Sequence, residues 1–343
     1  MKGRKDVTIY DIAKELNLSA STVSRALKDH YSIGQKTKKA VKKLAEEKGY
    51  RPNIIASSLR SKKTNTIGVI MPLINRPFIS SLISGIETGA KEAGYHVLIS
   101  QSHDDYETEV ANALTLYSSR VSGLIVSLAM GTKNYDHFRQ FIRHNIPVVF
   151  VDRVTRELNS DLVVIDNIAA GFEATKHLID QGCKRIAHIA GQQQRNVYRD
   201  RLTGYKEALE QHQMAIDENL TLTHNYLSFE DGYHCAEKLF ELKYPPDGIF
   251  CANDTAAIGV IQYAKKHNIK IPEELAIIGF NNDPMSEIVD PPLSTIEHPA
   301  IDMGKLAAQQ VLKLKEHSDI VHSESIVLRT KLIARASSNR KKI

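Results

Sequence analysis

Apolar residues recur at helical spacing near the start of the chain and predict a short helix whose inner face is Ile9, Ile12, Ala13 and Leu16. Thr8 precedes this helix and Asp11 follows three residues later, which is the spacing of an N-terminal capping box. Asn17 interrupts the pattern. Ser19 then caps a second predicted helix that runs to Leu27. The spacing therefore predicts two short helices joined by a tight turn.

The outer face of the second helix carries small hydroxyl groups and a cation, with no long apolar side chain: Ala20, Ser21, Thr22, Ser24 and Arg25. Hydroxyl groups suit contacts to phosphates, and arginine suits contacts to base edges in the major groove. A supporting helix, a turn and a polar second helix form the helix-turn-helix arrangement. A small structural bundle with a solvated outer face is the alternative interpretation.

Two further helices are predicted before Thr66, where the pattern of apolar residues changes. The first spans 35–48 and would close a three-helix bundle, with Gly34 as its cap and Gly49 as its stop. The second lies in the segment 50–64, where Pro52 sets a boundary and Asn53 can cap about two helical turns. A helix this short is marginal on its own in water, so we expect it to form against a partner.

From Thr66 onward, short apolar runs alternate with amphipathic stretches. The predicted strands are 67–71, 96–100, 123–127, 148–152, 163–166, 185–190, 248–252 and 276–280. The predicted helices include 78–93, 169–181, 202–211, 232–242 and 256–267. Such alternation indicates parallel sheets covered by helices, and the number of strands favours two doubly wound α/β lobes. Ligands of such folds bind beyond the carboxyl ends of the strands, which here means the cleft between the lobes.

Charge divides the chain at the same place. Residues 1–63 hold 16 lysines and arginines against 6 acidic residues, whereas the whole chain has 45 against 40. A basic front segment on a mildly acidic body is the electrostatic pattern of nucleic-acid binding. The sequence contains no apolar run of the roughly 20 residues that cross a bilayer. With no apolar signal segment at the start, we expect no membrane partner and a cytoplasmic location.

The sequence offers little sign of catalysis. The phosphate-binding, dinucleotide-binding, nucleophile-elbow and zinc-protease motifs are all absent. Asp104 and Asp105 form an acidic pair that helix capping explains better than acid–base chemistry. Cys183, Cys235 and Cys251 lack metal-ligand spacing, so we expect buried reduced thiols. We therefore expect no catalytic residues, no metal and no cofactor.

The segment TIYDIAKELNLSASTVSRAL, residues 8–27, resembles the N-terminal signature of the LacI family of bacterial transcription regulators. The resemblance implies that operator DNA is contacted by Thr8, Ser19, Ala20, Ser21, Thr22, Ser24, Arg25 and Lys28. It also implies that 50–64 is a hinge helix that pairs across a homodimer and inserts Leu59 into the minor groove, with Asn53, Ala56 and Arg60 beside it. Packing of Leu59 against the body is the alternative.

The same resemblance implies a body like a periplasmic sugar-binding protein, in which the chain crosses three times between lobes. We expect crossings near 165–169, 294–299 and 321–325. Polar and aromatic groups at strand ends, together with one apolar residue at a position that the resemblance implies, are the candidates for effector contact: Phe78, Arg153, Arg195, Val197, Arg201, Asp254 and Asn281. Arg201 could instead pair with Asp200. Asn281 stands where the family has aspartate, and an amide both donates and accepts hydrogen bonds whereas a carboxylate accepts.

These observations predict a head at 1–49, a hinge at 50–64 and an effector and dimerisation domain at 65–343. Lobe 1 is expected at about 65–166 and 298–322, and lobe 2 at about 167–296 and 324–340. The function predicted is a homodimeric repressor that binds a pseudo-palindromic DNA operator under control of a small carbohydrate effector. The alternatives are a catabolite-type regulator controlled by a phosphoprotein partner, a free solute receptor, and an enzyme.

Overall fold

The computed structural model of the protein describes residues 7–50, 64–316 and 323–340. It divides into two compact units, Met1–Thr64 and Asn65–Ile343. We call the first unit the head and the second the body.

The described residues of the head form three helices: α1 Ile9–Glu15, α2 Ala20–Leu27 and α3 Gln35–Glu47. Thr8 and Asp11 form the capping box that the spacing predicts, and the Ser19 hydroxyl accepts from the amide of Thr22 at 3.1 Å. The apolar faces meet in a small core of Ile12, Ala13, Val23, Ala26, Val41 and Ala45. The three helices follow the sequence pattern because their caps and apolar spacings are local features.

The part of the body that the structure describes forms two parallel sheets, each flanked by helices. The strands of the first sheet are β1 Thr66–Met71, β2 His96–Gln101, β3 Gly123–Val126, β4 Val148–Val151, β5 Asp161–Ile165 and β11 Ser325–Leu328, in the order β11-β5-β4-β3-β1-β2. Its helices are α4 Pro77–Glu92, α5 Tyr106–Ser118, α6 Asp136–Arg143 and α12 Ala300–Glu316. We call this part lobe 1.

The strands of the second sheet are β6 Ile186–Gly191, β7 Thr221–His224, β8 Gly248–Cys251 and β9 Ala276–Ile278, in the order β7-β6-β8-β9. Its helices are α7 Asn167–Asp180, α8 Asn196–Gln211, α9 Phe229–Phe240, α10 Asp254–Lys266 and α11 Met285–Ile288. We call this part lobe 2. β10 Thr295–Glu297 and β12 Lys331–Ile333 pair antiparallel as a two-stranded ribbon. In the sequence, β10 lies between β9 and β11, and β12 follows β11.

The last predicted crossing is wrong. β11 pairs in parallel with β5, with Ser325 opposite Leu162, so 325–328 belongs to lobe 1 rather than to lobe 2. The chain leaves lobe 1 after β11, through β12. β11 is an edge strand that leaves Val327 55% exposed, and such a short alternating run does not specify which sheet it joins.

Two other features of the described residues bear on function. Cys183, Cys235 and Cys251 are buried and unbridged, as the sequence predicts. In the described segments no helix combines the length and the apolarity that a membrane crossing requires.

Candidate functional site

The exposed side of α2 presents the hydroxyl groups predicted for DNA contact. The Ser19 hydroxyl lies 2.8 Å from the Ser21 hydroxyl and 2.8 Å from that of Thr22, so the three form a cluster at the start of the helix. Ser21 and Arg25 are exposed, whereas the inner face of the helix is buried. Thr8 uses its hydroxyl to donate to Asp11 at 2.7 Å, which fixes the start of α1. α2 therefore exposes a polar surface held on a rigid bundle.

The predicted hinge contacts are not among the described residues. Asn53, Ala56, Leu59 and Arg60 fall in 51–63, which lies outside them. Their roles stay predictions.

A cavity lies between the lobes of the body, at the carboxyl ends of their strands. It encloses about 690 Å³ of space, including its open mouth. Lobe 1 lines it from the loops after β1, β2 and β4, and lobe 2 from the first turns of α8 and the loops after β7, β8 and β9. This is the position where ligands of doubly wound sheets bind.

The lobe 1 wall carries a buried ion pair. Arg153 donates from Nη1 to the Asp104 carboxylate, and its Nη2 lies 3.3 Å from the Tyr198 hydroxyl across the cavity. Asp152 is buried beside this pair, and burial raises the pKa of its carboxyl, although Arg153 and Arg201 oppose the shift. Charge in this wall is therefore balanced mainly within the wall itself.

The lobe 2 wall carries Arg201, which is 4% exposed. Its Nε donates to the Asn167 side-chain oxygen at 2.9 Å, and its Nη1 donates to the Ala252 carbonyl at 2.8 Å. The guanidinium carbon lies 3.5 Å from the centre of the Phe280 ring, a close cation–π contact. Burial lowers the pKa of Arg201 to about 10, so it remains a cation at neutral pH. This wall offers a positive charge whose hydrogen-bond partners are neutral, while the Asp152 carboxylate of lobe 1 acts on it through its charge.

Glycines set the position of Arg201. A Cβ at Gly171 of α7 would lie 2.4 Å from the Arg201 carbonyl oxygen, and one at Gly204 of α8 would lie 2.0 Å from the Ile168 carbonyl oxygen. The two helices can approach this closely because neither glycine has a side chain. The close crossing of the helices brings Arg201 against the ends of the strands.

Aromatic rings form the third part of the cavity. Phe78 stacks on His298 with ring centres 4.0 Å apart, and Phe280 meets the His298 ring edge-on. His298 is 5% exposed, and among the described residues neither of its ring nitrogens has a hydrogen-bond partner. Burial, with Arg201 nearby, holds the pKa of His298 well below its usual range, so the ring is neutral. A neutral imidazole offers one donor and one acceptor.

Acidic groups gather behind and beside the loop after β9. Asp254 accepts from the Thr295 hydroxyl and from the Asp283 amide, both at 2.7 Å. Burial, and next the charge of Asp283, raises the pKa of Asp254 to about 8. Burial also raises the pKa of Asp283, which lines the cavity, to about 6. Asn281 lines the cavity with φ of 111°, a conformation that asparagine tolerates better than most residues.

Comparisons with known proteins agree with this architecture. The family described as bacterial regulatory proteins, lacI family, matches residues 8–53, and a periplasmic binding protein-like domain matches 175–338. The chain is 35% identical over 300 residues to the transcriptional regulator DegA of Bacillus subtilis (strain 168), covering 87% of this chain and 88% of that protein. It is 33% identical over 342 residues to the repressor CytR of Escherichia coli (strain K12), covering 98% and 99%.

A solved structure extends the likeness to the whole fold. The complex of the transcriptional regulator CelR with cellobiose matches with a TM-score of 0.74 at 25% identity, covering 96% of this chain and 99% of that one. The chain belongs to the LacI family of bacterial regulatory proteins. This LacI-family regulator is a DNA-binding regulator of transcription, and its predicted fold, a helix-turn-helix head followed by two parallel-sheet lobes, is confirmed.

In this LacI-family regulator the structure brings most of the predicted effector contacts together. The predicted residues that line the cavity are Phe78, Arg153, Val197, Arg201 and Asn281. The alternative partner of Arg201 is not used, because Asp200 pairs with Arg199 at 3.3 Å.

Two predicted contacts, Arg195 and Asp254, do not belong to the cavity lining. Arg195 precedes α8 and donates to the Thr132 carbonyl at 2.8 Å. Asp254 turns away from the cavity at the start of α10, toward Thr295. In both cases the residue lies at the right end of its strand, but the first turn of the following helix directs the side chain elsewhere.

Sequence reasoning missed several lining residues, among them Asp104, Tyr198, Asp283 and His298. Asp104 was interpreted as a helix cap, but it is Asp105 that caps α5, by accepting from the Thr108 amide at 2.8 Å. His298 follows β10, a strand that the pattern did not predict. One signal was available, since each of these residues lies in a loop after a strand or in the first turn of a helix on the ligand-binding side of the sheets.

Proposed function

We propose that this LacI-family regulator is a homodimeric repressor whose body binds a neutral carbohydrate. The observation that supports this most directly is the cavity between the lobes, which combines stacked rings with buried charged groups. A sugar has an apolar C–H face that suits the ring of Phe78, and hydroxyl groups that both donate and accept hydrogen bonds. The relative CelR was solved with cellobiose, which supports the same class of ligand.

Charge balance favours an uncharged ligand. Three arginines line the cavity, Arg76, Arg153 and Arg201, and three aspartates face them, Asp104, Asp152 and Asp283. A phosphate or carboxylate would add negative charge beside carboxylates that are already buried, which costs free energy. Hydroxyl groups can instead donate to the carboxylates and accept from Arg201. We therefore expect neutral sugars to bind more tightly than their phosphates.

The head is the part of the chain that contacts DNA in this proposal. We propose that α2 enters the major groove with Ser21 and Arg25 toward the bases, and that two heads of a dimer read the half-sites of a pseudo-palindrome. The edge strand β2 exposes Leu98 and Ile99, which are apolar side chains suited to a contact with a second copy. Effector binding then changes the arrangement of the lobes and, through residues 50–64, the affinity for operator. We propose that the regulator acts in the cytoplasm and has no catalytic activity.

The test joins both halves of the proposal. Operator fragments selected from a random duplex pool are titrated with the full chain by fluorescence anisotropy at several salt concentrations. We expect a sequence preference, an affinity that falls steeply with salt, and a shift in affinity when ribose, cellobiose or another neutral sugar of a panel is added.

A matched variant separates the two activities. Arg25→Gln should weaken operator binding by roughly 1–3 kcal/mol, the range of a base contact, and leave sugar binding to the body unchanged. Binding without sequence preference would refute the role of the head. Operator binding that responds to sugar phosphates and to no neutral sugar would refute the proposed ligand class.

A further inference from the structure

The first residue of α8 connects the two lobes through its side chain. Asn196 Oδ1 accepts from the Val154 amide at 2.9 Å, and Asn196 Nδ2 donates to the Asp152 carbonyl at 3.0 Å. Asn196 belongs to lobe 2, whereas 152–154 follows β4 of lobe 1. A single amide thus makes two hydrogen bonds to the backbone of the opposite lobe, and both lie within the normal length range.

The preceding residue makes a second contact of the same kind. Arg195 is 6% exposed and donates from Nη2 to the Thr132 carbonyl in lobe 1 at 2.8 Å. The segment that carries this carbonyl is itself held by the buried Glu109, which accepts from the Ala129 amide at 2.7 Å and from the Thr132 hydroxyl at 3.0 Å. Arg195 therefore contacts a firmly held part of lobe 1.

These two contacts lie directly beside the cavity walls. Asp152 and Arg153 form part of the lobe 1 wall, and Asn196 binds the backbone on either side of Arg153. Tyr198 and Arg201 of the lobe 2 wall follow Asn196 on the same helix. Whatever fixes the first turn of α8 against residues 152–154 also fixes the distance between the two walls.

We infer that Arg195 and Asn196 form an interlobe bridge that holds the lobes together and positions both walls for the effector. The bridge uses protein atoms alone, and its lobe 1 partners are backbone groups that do not titrate. It therefore favours the closed arrangement of the lobes before any effector binds, and the effector has to supply correspondingly less free energy for closure. Arg195 and Asn196 are positioning residues, and they act through the walls rather than on the ligand.

The test measures the full-length protein without effector or DNA, so its result does not depend on the proposed function. In Asn196→Ala the Val154 amide loses its acceptor, and we expect its hydrogen exchange to accelerate by about tenfold, within the range that one net hydrogen bond supports. Spin labels on Arg143→Cys in lobe 1 and Glu210→Cys in lobe 2 should show a longer or broader distance in the variant. The three natural cysteines are buried and should not take the label.

Asn112→Ala is the matched control. Asn112 donates from Nδ2 to the Gln101 carbonyl at 2.9 Å, so it makes the same type of contact within lobe 1. We expect this control to leave the interlobe distance and the exchange of Val154 unchanged. If Asn196→Ala leaves them unchanged as well, the bridge does not hold the lobes.

Arg195→Gln keeps the inference testable should Asn196→Ala not fold. The shorter side chain loses its contact with the Thr132 carbonyl, so we expect the interlobe distance to broaden while the Val154 amide stays protected by Asn196. An unchanged distance distribution in this variant would overturn the contribution of Arg195. Faster exchange throughout both lobes would show general destabilisation instead of a bridge, and would also count against the inference.

Discussion

The two walls of the cavity hold buried charge in different ways. In lobe 1 the Arg153 and Asp104 side chains, 10% and 6% exposed, form an ion pair beside Asp152. In lobe 2 the Arg201 guanidinium donates to the neutral oxygens of Asn167 and Ala252. Removing one partner of a buried ion pair leaves the other charge uncompensated, whereas a cation whose hydrogen-bond partners are neutral can still attract an acceptor on an incoming ligand. We therefore expect lobe 1 to supply structure and lobe 2 to supply affinity.

The largest effect should come from breaking the ion pair. Arg153→Met keeps a long apolar side chain but leaves the Asp104 carboxylate buried without its cation and Asp152 with Arg201 alone. We expect the free energy of unfolding to fall by about 3–5 kcal/mol, the usual result of removing one partner of a buried pair. Thermal or denaturant unfolding followed by circular dichroism measures the change.

Arg201→Met is the comparison that this prediction needs. Its neutral partners lose a donor, and the Phe280 ring keeps an apolar neighbour, so we expect a smaller loss of stability than in Arg153→Met. Binding of the neutral sugar identified by the panel should weaken by about 100-fold, which corresponds to about 3 kcal/mol for a hydrogen-bonded cation. If the two variants lose stability and binding to the same extent, the two walls do not differ as we describe.

A smaller effect is expected at the stacked rings of Phe78 and His298. His298→Phe keeps the stack on Phe78 and removes both ring nitrogens, which have no hydrogen-bond partner among the described residues. We expect sugar binding to weaken by about tenfold, because one hydrogen bond to the ligand is lost. We also expect the melting temperature of the ligand-free protein to stay level or rise, since buried polar atoms without partners are removed. Calorimetric titration measures the sugar affinity, and thermal unfolding measures the melting temperature. Sugar binding as tight as in the wild type would show that the ring acts by stacking alone.

The sequence predicted the head better than the cavity, for a physical reason. The caps at Thr8 and Ser19 depend on residues three positions away, so the local pattern determines them. The sheet that β11 joins depends on Leu162, which is distant in sequence, and short apolar runs carry no information on that pairing. Arg195 was placed correctly at the end of its strand. The direction of its side chain, however, follows from a lobe-to-lobe contact that no local pattern encodes.

The smallest effect concerns Asp254, which lies behind the lobe 2 wall. Burial and the charge of Asp283 raise its pKa to about 8 in the folded protein, above the ordinary value of 3.8. The folded state therefore holds a proton that the unfolded chain has released, so this carboxyl makes stability fall as pH rises from about 4 to 8. Arg335 opposes the shift, and the Thr295 hydroxyl and Asp283 amide donate to the same carboxylate. Asp254→Asn preserves the shape and cannot ionise, so its melting temperature should exceed that of the wild type at pH 8.5, by about 2–4 °C for each kcal/mol that the ionisation costs, and this margin should shrink as the pH falls toward 4. A wild-type pH profile in the variant would mean that Asp254 remains ionised when folded, and charge in the lobe 2 wall would then be balanced as it is in lobe 1.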